Sequence, residues 1–422
     1  MHASGETTTA TLPVDLLLEI AARSDAVAIV RCAAASKPLR GAILDPGFRR
    51  RLALRGFDPT LLRRVSYTLE DRGVNRIARV VQTPSPSSDS EPILVRSRLA
   101  SLSFEPAAWR DGLVVFRRYS RRRSYSSGQY RLIKNISPGL YEADEQLTVC
   151  SNIITGQTLP LPPMAVRDHY PPALLTVDGN CFELLVADED LTSQIYSSED
   201  GKWSAARAAH HAVHPPPRSL LGNNKHPVII GRTVHWLCVP GWCHNLVEAD
   251  ELQIVALDVD TAQATVIDLP QGCVSRMSGC KNNNKITLAV SADGTRLSLL
   301  VSETRVMSMW SLWESTWSRR VLIDGPDWDV HKSVRFEGFG ERSGTVLFDM
   351  SNVGLVQFNL ATMEALVLLH TSGPKKNRIS QVCLHEINLD SMLRAMKPFI
   401  KPFGRMRRAK VLKPADRASM DI

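Results

Sequence analysis

A chain of 422 residues, 44% apolar and 22% charged, has the composition of a folded globular protein with room for two or three domains. Its net charge of +8 is carried by its ends: residues 1–64 hold 10 Lys/Arg against 6 Asp/Glu and residues 374–422 hold 12 against 4, while the middle holds 29 against 33. A nucleic-acid platform in the body of the chain is excluded by that balance, no apolar run approaches the roughly 20 residues of a transmembrane helix, and eight scattered cysteines suit reduced thiols better than a disulfide scaffold.

The opening "MHASGETTTATLP" has neither a charged n-region nor an apolar h-region, so no secretory signal is expected. The expected compartment is cytoplasmic, nuclear or both. Residues 8–56 read as a small domain of three short helices. Pro13 suits a first helical position, and Asp15 sits favourably near the helix N-terminus. Leu12, Leu16 and Ile20 recur every four residues as one apolar stripe. Ser24 is placed to cap a second helix over Ala26–Ala35. Ser36 and Pro38 start a third that ends at Asp45-Pro46, and Phe48 and Leu52 suggest a further turn or two, stopped by Gly56. These helices hold too few apolar residues for a strong core, so something outside the segment should cover part of the stripe.

After Arg64 the texture changes to short β-rich runs between turn signals, among them "RIARVVQ", "GLVVFRR", "FELLVAD", "LQIVALDVD", "ITLAVSA" and "GLVQFNL". "TPSPSSDSEP" (83–92) is a polar Pro/Ser loop. An internal repeat then decides the architecture. "VDGNCFELLVA" (177–187) matches "ADGTRLSLLVS" (292–302), with Asp293 lying 115 residues after Asp178. Downstream, Trp317-Ser318 follows Trp203-Ser204 by 114. A second kind of turn interleaves, marked by Thr155, Thr261 and Thr362. Units of about 45–60 residues suit four-stranded propeller blades, which bury each other's faces by stacking around an axis. Five blades are visible between Gly112 and His370, and strands from 65–105 and 380–389 make or close a sixth. The expected fold is therefore α+β and multidomain: the small helical domain, an all-β propeller-like domain of about six blades over 65–390, and a basic C-terminal tail over 391–422. In that tail two Lys-Pro breaks and "RMRRAK" (405–410) predict a frayed helix followed by disorder.

Chemistry-bearing residues are few. His235, Cys238, Cys243 and His244 have zinc-ligand side chains, but a strand would point His235 and Cys238 to opposite faces. His210, His211 and His214 precede a triple proline, and Cys273 and Cys280 flank a Gly-containing loop. Asp188, Glu189 and Asp190, like the acidic run 248–251, read as solvated loop tips. Arg and aromatic residues alternate over 117–125, a combination that can bind phosphate or RNA but here reads as a basic loop. Trp203, Trp236, Trp310, Trp313, Trp317 and Trp328 fall at blade-like positions and are expected mostly between blades. There is no G-x-S-x-G, phosphate loop, G-x-G-x-x-G or H-E-x-x-H. No metal, cofactor or catalytic activity is expected. A propeller enzyme would need a convergent polar cluster at its axial mouth.

Residues 12–48 resemble an F-box, through Leu12-Pro13, Asp15-Leu16-Leu17, Glu19-Ile20, Arg23, Arg31-Cys32, Ser36-Lys37, Leu39-Arg40, Ile43 and Asp45-Pro46 with Phe48. Leu39 stands after Pro38 where many F-boxes carry tryptophan before the arginine. The β-region is similar to the F-box-associated, propeller-like domains of plants, particularly the grass-expanded families, through "RDGLVVF" and "LTVCSNIITGQTLPLPP" between Asp111 and Pro163. The resemblance implies a substrate receptor of an SCF ubiquitin ligase without catalysis of its own. The F-box would bind the Skp adaptor, and through it the cullin and RING subunits, by an apolar surface of Leu12, Pro13, Leu16, Leu17, Ile20, Val30 and Leu39. The propeller would bind an unidentified target protein. No membrane and no nucleic-acid partner is expected. The alternative is a propeller interaction module with a degenerate F-box, acting outside the ligase.

Overall fold

The computed structural model describes residues 12–53, 56–71, 75–82, 93–95, 104–118, 146–152, 157–167, 169–178, 181–211, 219–220, 226–239, 252–273, 285–303, 306–324, 334–351, 353–370 and 378–394. Four helices open it rather than three: α1 (Val14–Arg23), α2 (Ala26–Ala35), α3 (Lys37–Ile43) and α4 (Pro46–Ala53). Asp25, not Ser24, caps α2, accepting from the Ala28 N–H at 2.6 Å. Ser24 instead donates to the Ile20 carbonyl and closes α1. Ser36 caps α3 as its position in the sequence suggests.

Among the described residues six sheets follow: four have four antiparallel strands in sequence order, that of blade 4 carries two further short strands, His210–His211 and Ser219–Leu220, and that of blade 1 takes one strand from the C-terminal end of the chain. Blade 2 is Phe104–Arg110, Leu113–Arg118, Gln146–Asn152 and Gln157–Pro160. Blade 3 is Ala173–Asp178, Cys181–Ala187, Ser193–Ser197 and Lys202–Trp203. Blade 4 is Val228–Ile230, Thr233–Val239, Gln253–Asp258 and Gln263–Asp268, with His210–His211 added in parallel on its outer edge. Blade 5 is Ile286–Val290, Leu297–Ser302, Val306–Trp313 and Thr316–Asp324. Blade 6 is Val334–Phe339, Thr345–Met350, Gly354–Asn359 and Ala365–His370. Blade 1 closes the ring: Leu62–Asp71, Asn75–Gln82 and Ile93–Val95 pair with the C-terminal strand Arg378–Glu386, which takes the innermost place. First strands of neighbouring blades touch one another from blade 4 through 5, 6 and 1 to 2 and 3, which sets them around the axis.

The two repeat families have separate structural meanings. Asp178 ends the first strand of blade 3, and Asp293 with Gly294 lies between the first and second strands of blade 5. Trp203 and Trp317 sit on the outermost strands of the same two blades. Each indole N–H donates to the preceding blade, Trp203 to the Pro162 carbonyl at 2.8 Å and Trp317 to that of Asp268 at 3.0 Å. Thr261 and Thr362 mark the turn between the third and fourth strands of blades 4 and 6. There Asp258 or Asn359 accepts the backbone N–H two or three residues on, and Ala262 or Met363 takes a positive φ. Thr155 lies outside the described residues.

Apolar side chains from adjacent blades form the core: blades 4, 5 and 6 share one cluster, blades 6, 1 and 2 a second, blades 2 and 3 a third, and blades 3 and 4 a fourth. A fifth belongs to the helices and holds Ala21, Ile29, Ala33, Leu39, Ile43 and Phe48, together with Leu393. Leu393 comes from α5 (Leu389–Arg394), which follows the closing strand. Ser391–Arg394, the start of the segment expected to be a frayed helix and then a tail, are helical here. The tail beyond them lies outside the described residues.

Phe57 seats the helices on the propeller. Its ring packs edge-on against Phe339 at 5.9 Å, and the Asp58 N–H donates to the Arg342 carbonyl at 3.0 Å. Gly344 has φ +64, and a Cβ there would land in the Phe57 ring. Gly344→Ala is expected to cost about 2 kcal/mol or more, measured as a lower urea midpoint, because the backbone is strained and the ring must move.

Candidate functional site

Two places concentrate unusual side chains. The first is the outer face of α1. Leu12, Leu16 and Ile20 are 53%, 52% and 53% exposed, opposite the fully buried Ala21. Singly exposed apolar residues are ordinary, but Leu16 and Ile20 one turn apart on a short helix, with Leu12 just ahead of its N-cap Pro13, are not. The stripe is flanked by charge: Glu19 pairs with Arg23 at 2.8 Å and with Arg51 at 2.6 Å, contacts that hold its carboxyl below the usual range.

The seven residues expected to form one apolar surface separate on folding. Leu12, Pro13, Leu16 and Ile20 lie on the exposed side. Leu17 and Val30 are half-buried against the helical core. Leu39 is buried, at 6% exposure, with Ile43 one helical turn on, so it serves the helices' own packing rather than an open surface. An apolar residue on the inner face of a seven-residue helix is captured by the nearest core.

The second place lies on the propeller axis, where the first strands end. Arg110 and Asp111 come from blade 2, Glu341 and Arg342 from blade 6, and Glu386 from the closing strand. Arg342 holds Asp111 through two of its guanidinium nitrogens, Nε and Nη2, the latter at 2.7 Å. Arg110 donates to the Leu174 and Leu175 carbonyls of blade 3 at 3.1 and 2.8 Å and faces Glu341 at 3.4 Å. Glu386 accepts from the Ser343 N–H at 2.7 Å and the Arg342 N–H at 3.3 Å. His226, ahead of blade 4, stacks on Trp109 with ring centres 4.1 Å apart. The space they line has room for about one water molecule. Asp58 and Asn388 lie over Arg342 and Asp111, on the helical side.

Three largely buried carboxylates thus meet two partly exposed guanidinium groups. Burial pushes the Glu341 and Glu386 carboxyls above the usual range, and burial holds His226 down at about 3. The arrangement ties blades 2, 3, 6 and 1 together across the axis. It was missed in the sequence because its members lie far apart in the chain. The available signal was the recurrence of charged pairs at the ends of first strands: Arg110-Asp111, Glu341-Arg342 and His385-Glu386.

Other candidates are dispersed. His235 and Cys238 point to opposite sides of Thr233–Val239, His235 toward the Val228 carbonyl and Cys238 into the core between blades 3 and 4. Cys243, His244, His214, Cys280, Trp328, the acidic run 248–251, residues 119–125 and residues 405–410 lie outside the described residues. Among the described residues no group of three or more His, Cys, Asp or Glu could hold a metal ion. Asp188 caps its own turn, accepting from the N–H groups of Asp190 and Thr192. Trp236 is buried and donates to the Pro171 carbonyl, Trp310 is half-buried, and Trp313 is 58% exposed beneath the Arg296 guanidinium. Among the described residues no helix is long and apolar enough to cross a membrane.

Buried neutral histidines make stability depend on pH. His385 donates to or accepts from Ser66 Oγ at 2.8 Å, and burial lowers it to about 3; burial lowers His235 to about 4. The unfolded chain takes up these protons near pH 6.5 and the fold does not, so their contribution is full above 6.5 and is lost as pH falls. Glu341 and Glu386 act in the opposite sense, stabilising progressively as pH falls toward 4.5. His385→Gln, which keeps a partner for Ser66, is expected to reduce the slope of unfolding free energy between pH 6.5 and about 5 by about 1.4 kcal/mol per pH unit. Urea titrations across that range check it.

No curated protein matches the chain. Solved structures with a similar arrangement of strands include an oligogalacturonate lyase from Vibrio parahaemolyticus, 8% identical, with a TM-score of 0.36 over 75% of this chain and 90% of that one. They also include the AtxE2 isopeptidase, 12% identical, at 0.30 over 76% and 52%. A puromycin-hydrolyzing peptidase of Mycobacterium tuberculosis is 8% identical, at 0.31 over 64% and 38%. The profile of a domain of unknown function, DUF7595, matches residues 64–399, which takes in the blades and α5. The chain therefore belongs to the DUF7595 family.

Proposed function

We propose that this protein is the substrate-recognition subunit of an SCF-type E3 ubiquitin ligase of the plant F-box kind. Its N-terminal helices bind a Skp adaptor, which links to the cullin and RING subunits, and its propeller binds the protein to be modified. It supplies binding and no catalytic step, in the cytoplasm, the nucleus or both. The observation that carries the reading is the exposed set of Leu16 and Ile20, on a helix whose other face is already packed, with Leu12 just ahead of it, in the segment that resembles an F-box. Burying even ~600 Å2 of apolar surface at ~25 cal/mol per Å2 gives a gross driving force of about 15 kcal/mol before association costs. A propeller is a rigid display for loops, which suits recognition of a protein target. The test is co-purification of the full chain with a Skp adaptor.

One observation favours a second reading, an interaction module outside the ligase. The helices share their core with α5 and rest on the propeller, so they serve the fold as well. In that case the wild-type chain is a stable species with no affinity for the adaptor.

A further inference from the structure

We propose that α5 is a strut through which the closing strand and the axial charge network hold the N-terminal helices in their partner-binding form. The word partner rests on the adaptor reading; the strut itself does not. The helices are poor in core. Among the described residues their buried cluster is Ala21, Ile29, Ala33, Leu39, Ile43 and Phe48, and Leu393, 1% exposed, is its one large member from the far end of the chain. Leu389 packs beside it. The Arg49 guanidinium grips the Asp390 carboxylate through two nitrogens, Nη2 to Oδ2 at 2.5 Å.

The N-terminal end of α5 is also fastened to the propeller, through the side chains of Asn388 and Ser391. Asn388 Oδ1 accepts the Ser391 N–H at 3.1 Å and so caps the helix, while its Nδ2 donates to Asp111 Oδ2 at 3.1 Å. Asp111 is the carboxylate that Arg342 holds. Ser391 Oγ donates to the Val177 carbonyl of blade 3 at 3.3 Å, and the Ile387 N–H to the Leu61 carbonyl at 2.9 Å. An unbroken series of bonds thus runs from Arg342 through Asp111, Asn388 and α5 to Arg49 and the core beneath α1. Closure of the propeller and order of the α1 face are one equilibrium, so anything that binds α1 also stabilises closure.

Hydrogen exchange on the full chain tests this without an adaptor. Leu393→Asp is expected to speed exchange over residues 14–53 at least about tenfold while blades 2 to 5 keep their protection. Met392→Asp, on the same helix but 40% exposed, should change nothing. Asn388→Asp keeps the capping oxygen but faces Asp111 with a second carboxylate, and should speed exchange over 14–53 about threefold or more. Unchanged exchange there in both Leu393→Asp and Asn388→Asp overturns the proposal. Should Leu393→Asp not fold, Asn388→Asp decides alone. A wild-type chain that fails to bind a Skp adaptor ends the ligase reading and leaves this result standing.

Discussion

The double variant Leu16→Asp/Ile20→Asp is expected to bind a purified Skp adaptor at least about 100-fold more weakly than the wild type. Its thermal transition should stay within a few degrees. Both side chains are about half exposed, so charging them removes little packing from the chain itself. In a complex the same positions would be desolvated, and two buried carboxylates without partners would be intolerable. Leu39→Asp is the contrasting variant. That side chain is 6% exposed, and its replacement should loosen the helices themselves. Loss of adaptor binding with the fold intact in the first variant, and loss of both in the second, separates surface from core. Retained binding in Leu16→Asp/Ile20→Asp would move the interface elsewhere.

The propeller was legible because its information is local and repeated. Trp203 and Trp317 are recognisable as a pair since each occupies the outer strand in blades two apart and does the same job there, and Asp178 and Asp293 fall at corresponding places at or after the ends of the first strands of those blades. The closing strand was legible as well: Val382 and Leu384 alternate as a strand must, and the first blade lacks an inner strand. What was not legible is non-local. Nothing near Leu393 in the chain announces that it fills a core made by residues 21–48, and the two Lys-Pro steps after it suggested a tail. Leu39 and Leu16 look alike in a list of apolar residues, and only the packing of α3 tells the buried one from the exposed one. The axial cluster shows the same limit, since Asp111 and Arg342 meet only when the ring is closed.

That cluster gives the other large effect. Arg110→Met is expected to lower unfolding free energy by about 3 kcal/mol at pH 7. The variant strands the Glu341 carboxylate, 12% exposed, and leaves the Leu174 and Leu175 carbonyls without their donor. The loss should shrink toward pH 5. Burial already raises Glu341, removal of the facing guanidinium raises it further, and a protonated Glu341 has no charge to strand. Arg110→Met/Glu341→Gln should recover most of the loss at pH 7 and show no such pH dependence, which makes the pair strongly non-additive in a double-mutant cycle. Urea unfolding at the two pH values measures all three variants. The result bears on function, because charges that hold blades together are not at liberty to act on a ligand. If Arg110→Met proved as stable as the wild type at both pH values, the converging carboxylates would be holding nothing. The axial mouth would then be the first place to look for a bound molecule.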